Sequence, residues 1–366
     1  MKRIILIILI CFSLLLCTGC SNYNELNDLA IVSVMGIEKQ NENYLVSLEI
    51  FKEEKEPGSG ASRKKRIVIT GEGKSLDEAV NNASFVSEKL LFFTHIEGII
   101  IDAELASEGI SGIMDYLSRS TDYSFVSYIT ISEKEKPSKL LKSKEIKNEI
   151  VGDAIVSLFN NSQLNNSAFI YNRFFELLEQ YVNPNKDIFL PFIKITEGYI
   201  EIYKVGIFKG SKMINKLDNI QTRSISLLNG NNNALYYRIN ENSGYLVAKI
   251  FDSKTKIKVD KNNITINIAT TSELDEVNSE YDTISTKNIF KLDKKIEDNI
   301  KKDVINLINF LKENNSDVLG INNKIYKKYG KIEKDWKEYN YVVEVKNTIT
   351  KKGLLMDPVR GDNEKD

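Results

Sequence analysis

Three consecutive mixed α/β domains behind an N-terminal leader are what this chain predicts, an α+β class overall with a long amphipathic helix packed on a sheet in the C-terminal domain. Three observations carry the prediction. Short segments alternate apolar and polar residues, as in Lys256–Ile268, where Ile257, Val259, Ile264, Ile266 and Ile268 keep period two. Directly after them Ile289, Leu292, Ile296, Ile300, Val304, Leu307, Ile308 and Leu311 recur every three or four residues, one apolar stripe over roughly six helical turns. Setting residues 1–19 aside leaves 347 residues, more than one hydrophobic core usually serves.

The leader comes first. Lys2 and Arg3 precede Ile4–Leu16, thirteen residues interrupted only by Ser13. That is the size of a signal-peptide apolar region and short of the ~20 residues that span a bilayer. The run ends at Cys17-Thr18-Gly19-Cys20, two small residues before a cysteine that can become the new N-terminus. The segment resembles a bacterial lipoprotein signal, with Cys17 where such signals usually carry Leu. Ordinary secretion and an uncleaved anchor are the competing readings. A diacylglyceryl group on Cys20 supplies two acyl chains, enough for a stable membrane anchor. Residues 20–28 are then a tether, and the eight residues Ser21–Asp28 reach at most ~27 Å.

Composition excludes several functions. Cysteines occur only at 11, 17 and 20, so a chain starting at Cys20 has no disulfide, thiolate metal site or catalytic cysteine. It carries 48 basic and 51 acidic residues, which does not mark a nucleic-acid binder. Asparagine runs such as Asn231–Asn233 read as compositional bias among periodic apolar residues.

The first domain is expected over 29–196. Leu29–Glu38 and Tyr44–Phe51 read as a hairpin across Lys39–Asn43, and Lys52–Arg66, with Pro57, Gly58 and Gly60, as a mobile loop. Its basic run Arg63–Arg66 suits either anionic headgroups or a solvated strand start. Gly71-Glu72-Gly73-Lys74-Ser75 invites a phosphate-loop reading, but the glycine required five residues before the last one is Val68. A strand end, a glycine turn and a helix capped at Ser75, with Glu78 completing a capping box, account for it better.

Leu76–Phe93 then reads as one helix and Thr94–Ile101 as a buried strand. His95, the chain's single histidine, falls at their junction. A structural role suits it best, ahead of an interface and then of catalysis, because a lone histidine does not build a metal site. Helices follow at Glu104–Glu108 and Ser111–Leu117, a strand at Ser127–Ser132, helices opened by Pro137 and over Asn148–Phe159 and Tyr171–Tyr181, and an extended piece at Asp187–Ile195.

A small β-rich unit is expected over 197–255, from Tyr199–Phe208 and Leu235–Phe251 with a short helix around Leu217–Leu228. The C-terminal domain spans 256–356 and a flexible tail 357–366. After its long helix come Asp317-Val318-Leu319-Gly320, then Asn323–Tyr329, Trp336 and a strand over Tyr341–Thr350 ending at Gly353.

This last pattern of long helix, Asp-x-x-Gly turn, basic-aromatic helix, Trp and closing strand resembles the C-terminal part of the Ger(x)C family, the C subunits of bacterial spore germinant receptors. Phe93–Ile101 with His95, the Glu104-Leu105-Ala106-Ser107-Glu108-Gly109-Ile110 helix, Arg119 and the Gly71–Ala79 turn resemble its N-terminal half in the same order. Ser21-Asn22-Tyr23 departs from it, since the family commonly has Trp and Asp there. The resemblance implies a lipoprotein with no cofactor and no catalytic residues, partnered with an integral A subunit and a transporter-like B subunit in a complex that answers small nutrients. His95, Arg119, Asp317, Gly320, Asn323 and Trp336 become the positions to watch for packing or subunit contact.

Two other classes compete. A solute-binding lipoprotein of a transporter needs a two-lobed closing cleft, against which the uneven three-part division speaks. An extracellular hydrolase lacks a Gly-x-Ser-x-Gly elbow and a His-Glu-x-x-His motif and would have His95 as its base.

Overall fold

The computed structural model describes residues 28–55, 62–120, 122–147, 150–164, 172–229, 235–241, 244–278 and 286–351. Strands β1 (Leu29–Gln40), β2 (Asn43–Lys55) and β3 (Ser62–Gly73) form an antiparallel meander, followed by α1 (Leu76–Ser84), β4 (Leu90–Phe92) and β5 (Gly98–Asp102). Next come α2 (Ala103–Glu108), α3 (Ser111–Arg119), β6 (Tyr128–Ser132), α4 (Pro137–Lys142), α5 (Val151–Leu164) and α6 (Phe174–Val182). Strands β7 (Phe189–Thr196), β8 (Tyr199–Lys209) and β9 (Lys212–Leu217) complete a nine-stranded sheet ordered β3-β2-β1-β5-β6-β7-β8-β9, with β4 also on β1.

The middle of this sheet is parallel, β1-β5-β6-β7, and its strands are covered on both faces. Continuous apolar runs follow from that, and all five residues of Gly98–Asp102 are buried. Successive side chains go to opposite cores: Ile99 and Ile101 join helices α1, α2, α3 and α6, while Ile100 joins α4 and α5. At β3 the fit is close enough to require glycine, since a Cβ on Gly71 would meet the Ala79 carbonyl oxygen of α1 at 2.2 Å. The glycines beside Lys74-Ser75 therefore serve helix packing. Ser75 caps α1 by accepting the Glu78 N–H at 3.1 Å, and the Glu78 carboxylate reaches back to the Lys74 N–H at 2.8 Å.

The second sheet is β10 (Leu235–Glu241), β11 (Gly244–Val259), β12 (Asn263–Asn278) and β13 (Asn340–Lys351), in that order. Helix α7 (Asn219–Leu228) precedes it. The parallel β12–β13 pair is joined through α8 (Thr286–Glu313), α9 (Ile321–Tyr329) and a 3-10 turn at Trp336–Glu338. All eight residues of the α8 stripe are buried, in one core with the second sheet. Phe189, Val205, Ile207 and Leu217 of the first sheet join the same core, so the two sheets share apolar packing. On the edge strand β13, the N–H groups of Asn347 and Ile349 donate to α8 carboxylates, Glu297 at 3.0 Å and Asp293 at 3.1 Å.

The mixed α+β class is as the sequence predicts, and several expectations are corrected. The 197–255 stretch forms no sheet of its own: β8 and β9 extend the first sheet, while β10 and β11 open the second. Local alternation cannot say which neighbour a strand pairs with. Leu76–Phe93 is not one helix, because α1 stops at Ser84 and Leu90–Phe92 pairs with Leu29–Ile31. The Ser84 and Ser87 hydroxyls bond nearby carbonyls, of Asn81 and Lys89, and so compete with helical bonding there. Lys256–Ile268 contains a hairpin corner, where Asp260 N–H donates to the Asn263 carbonyl at 2.8 Å. In Lys52–Arg66, Lys52–Lys55 pairs with Ser62–Lys65, and the remainder of the expected loop, 56–61, lies outside the described residues.

Candidate functional site

The polar residues singled out near the C-terminal end converge where the two sheets meet. At Ser316–Asn322 the chain leaves α8 and turns into α9. The Asp317 carboxylate covers the first turn of α9, accepting the Ile321 N–H at 2.8 Å on Oδ1 and the Asn322 N–H at 2.7 Å on Oδ2. Gly320 sits between them at φ +64°, a left-handed conformation that glycine adopts freely.

The same turn grips the first sheet. Asp317 N–H donates to Asp187 Oδ2 at 2.7 Å, and Asp187 N–H donates to the Asp317 carbonyl at 3.1 Å. Asp187 is held in turn by Lys209 Nζ at 3.1 Å and the Gly210 N–H at 3.1 Å, both from the β8–β9 hairpin. Ser316 Oγ adds a bond to the Phe208 carbonyl at 2.7 Å. Burial is the largest influence on the Asp317 carboxyl, with the Asp187 charge acting in the same direction, and its pKa is pushed up to about 7.

Trp336 is buried behind this turn. Its N–H donates to Asn322 Oδ1 at 3.3 Å and its carbonyl accepts the Tyr341 hydroxyl at 3.0 Å. Asn322 therefore ties α9 to the Trp336 turn, while the neighbouring Asn323 is half-buried. Asp317, Gly320 and Trp336 belong to one junction, with Asn323 at its margin.

His95 and Arg119 lie elsewhere. His95 is exposed at the start of the parallel strands, its ring centroid 5.8 Å from that of Phe92. Arg119 is exposed at the end of α3 and pairs with Asp115 one turn back at 2.8 Å, beside a shallow cleft of about 510 Å³. Cys20 lies outside the described residues.

A second buried carboxylate escapes sequence reasoning. Glu49 of β2 accepts the Ser33 hydroxyl at 2.7 Å and the N–H groups of Val151 and Gly152, at 3.0 and 3.2 Å, at the start of α5. Arg66 Nε stands 3.9 Å away. Burial raises the Glu49 pKa against these bonds. Its one sequence signal is a carboxylate inside the apolar alternation of Leu45–Ile50; the helix it caps begins 102 residues later.

A larger open cleft of about 790 Å³ lies at the carboxyl ends of β5 and β6. Five of its charged groups pair with one another, Lys136 with Asp102 at 2.8 Å and with Glu104 at 2.6 Å, and Lys216 with Glu133, while Lys134, Glu135 and Lys139 also line it. Among the described residues, no group of three His, Cys, Asp or Glu side chains could hold a metal ion. None of their helices is long and apolar enough to cross a membrane.

Comparison with known proteins gives the same answer in both halves. Residues 22–195 match the family described as "Spore germination protein N-terminal domain", and 204–353 match "Spore germination B3/ GerAC like, C-terminal". The junction between the matched segments falls near β7–β8, although the first sheet continues through it to Leu217. The chain is 23% identical over 328 residues to spore germination protein GerQC of Bacillus cereus, covering 88% of this chain and 89% of that one. It is 29% identical over 148 residues to spore germination protein KC of Bacillus subtilis, a match spanning 38% of this chain and 36% of that protein. In fold it is similar to the crystal structure of the GerBC protein, with a TM-score of 0.51 and 16% identity over 86% of this chain and 96% of that one. With both halves matched in order along most of its length, the chain belongs to the Ger(x)C family of spore germination proteins.

Proposed function

We propose that this protein is a lipid-anchored subunit of a spore nutrient germinant receptor, acting by binding and assembly and not by catalysis. The observation that carries the reading is the ordered match of both halves to spore germination families, over 22–195 and 204–353. The Cys17-Thr18-Gly19-Cys20 signal supplies the anchor, through acylation of Cys20, at the outer face of the cell membrane that becomes the spore inner membrane. Integral A and B subunits are the partners this reading assigns.

The geometry supports it. Asp317 joins α9 to Asp187 beside the first sheet, and Trp336 bonds α9 and β13 through Asn322 and Tyr341, contacts that suit a rigid scaffold. In the open 790 Å³ cleft, Lys136, Asp102, Glu104, Lys216 and Glu133 already pair with one another.

The test is Cys20→Ala in spores, scored nutrient by nutrient, with fractionation of the protein from the same spores. Release from the inner membrane together with loss of response to one nutrient class is expected. Full response to every nutrient with the protein released, in a strain lacking redundant receptors, overturns the assignment.

A further inference from the structure

Strands β1, β4, β5 and β6 are mutually parallel, with β4 starting level with Leu29 and β5 and β6 starting level with Val34, so the segments leading into them approach from the same end of the first sheet. That end carries exposed large apolar side chains. Leu90, 57% exposed, pairs with Leu29, the residue after Asp28, where the described chain begins. Phe85 and Val86, 78% and 62% exposed, lie just before β4, and Phe125 and Val126, 44% and 54%, just before β6. Phe175 extends the rim, its N–H donating to the Phe125 carbonyl at 2.9 Å. Exposed apolar groups gathered at one place mark a contact surface. Between them stand Glu88 and Lys89, exposed and of opposite sign, so the contact is apolar in character.

The tether decides what it meets. Cys20 precedes Asp28 by eight residues, a reach of at most ~27 Å. The twelve residues of β1 span roughly 40 Å, so with β1 upright on the bilayer a lipid on Cys20 reaches from the near end of the sheet and not from the far end. The apolar rim sits at the near end. We propose that this rim rests on the bilayer, with Phe85, Val86, Leu90, Phe125 and Val126 entering the boundary between headgroups and acyl chains, and that it sets the orientation of the tethered protein. The inference rests on lipid anchoring at Cys20.

Trp336, the chain's single tryptophan, is 1% exposed and gives a constant background emission. The full chain, recovered from bacterial membranes, is reconstituted into phosphatidylcholine vesicles with brominated acyl chains, which quench tryptophan on contact. Phe85→Trp and Phe125→Trp are compared with Phe290→Trp, a site 61% exposed on α8. Loss of most of the added emission from the two rim variants, with the Phe290→Trp signal kept, is expected. Equal emission from all three on protein that floats with the vesicles overturns the rim and leaves the anchor standing. Protein that does not float overturns the anchor and the rim with it. Rim tryptophans shielded from aqueous iodide before vesicles are added assign the surface to the chain's own residues 21–27. Shielding that appears only with receptor membrane proteins assigns it to a protein partner. Either result overturns the bilayer contact.

Discussion

Glu49 and Asp317 are both buried carboxylates set over the first turn of a helix, yet they join different things. Glu49 ties β2 to α5 within the first sheet's own layers, and its partners Ser33, Val151 and Gly152 are themselves interior. Asp317 ties the C-terminal helix α9 to a loop and hairpin of the first sheet, through Asp187, Lys209 and Gly210. The local chemistry is shared: N–H groups at the start of a helix favour the anion, and burial, the larger influence, works against it. The difference lies in what comes apart when it is removed. Losing Glu49 opens a layer of one sheet, whereas losing Asp317 loosens the seam between two.

The sharpest way to break the comparison is Glu49→Ala. It strands two N–H groups and the half-buried Arg66, and removal of one partner from a buried charged network costs about 3–5 kcal/mol. Denaturant unfolding followed by circular dichroism should show one cooperative transition at a lower midpoint. Two separated transitions in that variant would mean that the first sheet is not a single unit.

The seam should titrate. With its pKa pushed up to about 7, Asp317 favours the protonated form in the folded protein, from an ordinary value of 3.8. Its contribution is therefore fully present below about pH 4 and is lost as pH rises through about 7. Trp336 emission, which reports on the seam, should have its unfolding midpoint fall between pH 4.5 and 8, and Asp317→Asn should flatten that slope. Some slope remains, because Glu49 is shifted in the same direction. An unchanged slope in Asp317→Asn removes Asp317 as the titrating group.

Smaller again is Gly320→Ala. At φ +64° an added Cβ is strained by about 1 kcal/mol, and it also meets the Lys186 side chain at 3.2 Å. The Trp336 midpoint should move by that amount with the circular dichroism midpoint nearly still. Equal movement of both would mean that seam and sheets unfold together.

What was legible in the sequence is what short-range spacing controls. The stripe Ile289–Leu311 is buried at all eight positions because a 3.6-residue period needs no distant partner to be recognised. Ser75 with Glu78 announces α1 for the same reason. Asp317 and Gly320 were marked by a turn pattern, but their counterpart Asp187 lies 130 residues away and carries no pattern of its own. Glu49 was missed on the same grounds. Which sheet each strand of 197–255 joins was not legible, because strand alternation is identical whether a strand extends one sheet or begins another. Asn323 stands at the margin while its neighbour Asn322 bonds Trp336, because adjacent helix positions with the same side chain differ only in which way the helix turns them.

The α8 carboxylates over β13 bear on how many copies of this chain can crowd together. An uncovered edge strand is a template on which another chain adds a strand, and repeated addition makes a fibre. At β13 the N–H groups of Asn347 and Ile349 are already taken by Glu297 and Asp293 of the protein's own helix. That stretch of the edge is closed from within, so strand addition by another copy of the chain is disfavoured at Asn347–Ile349.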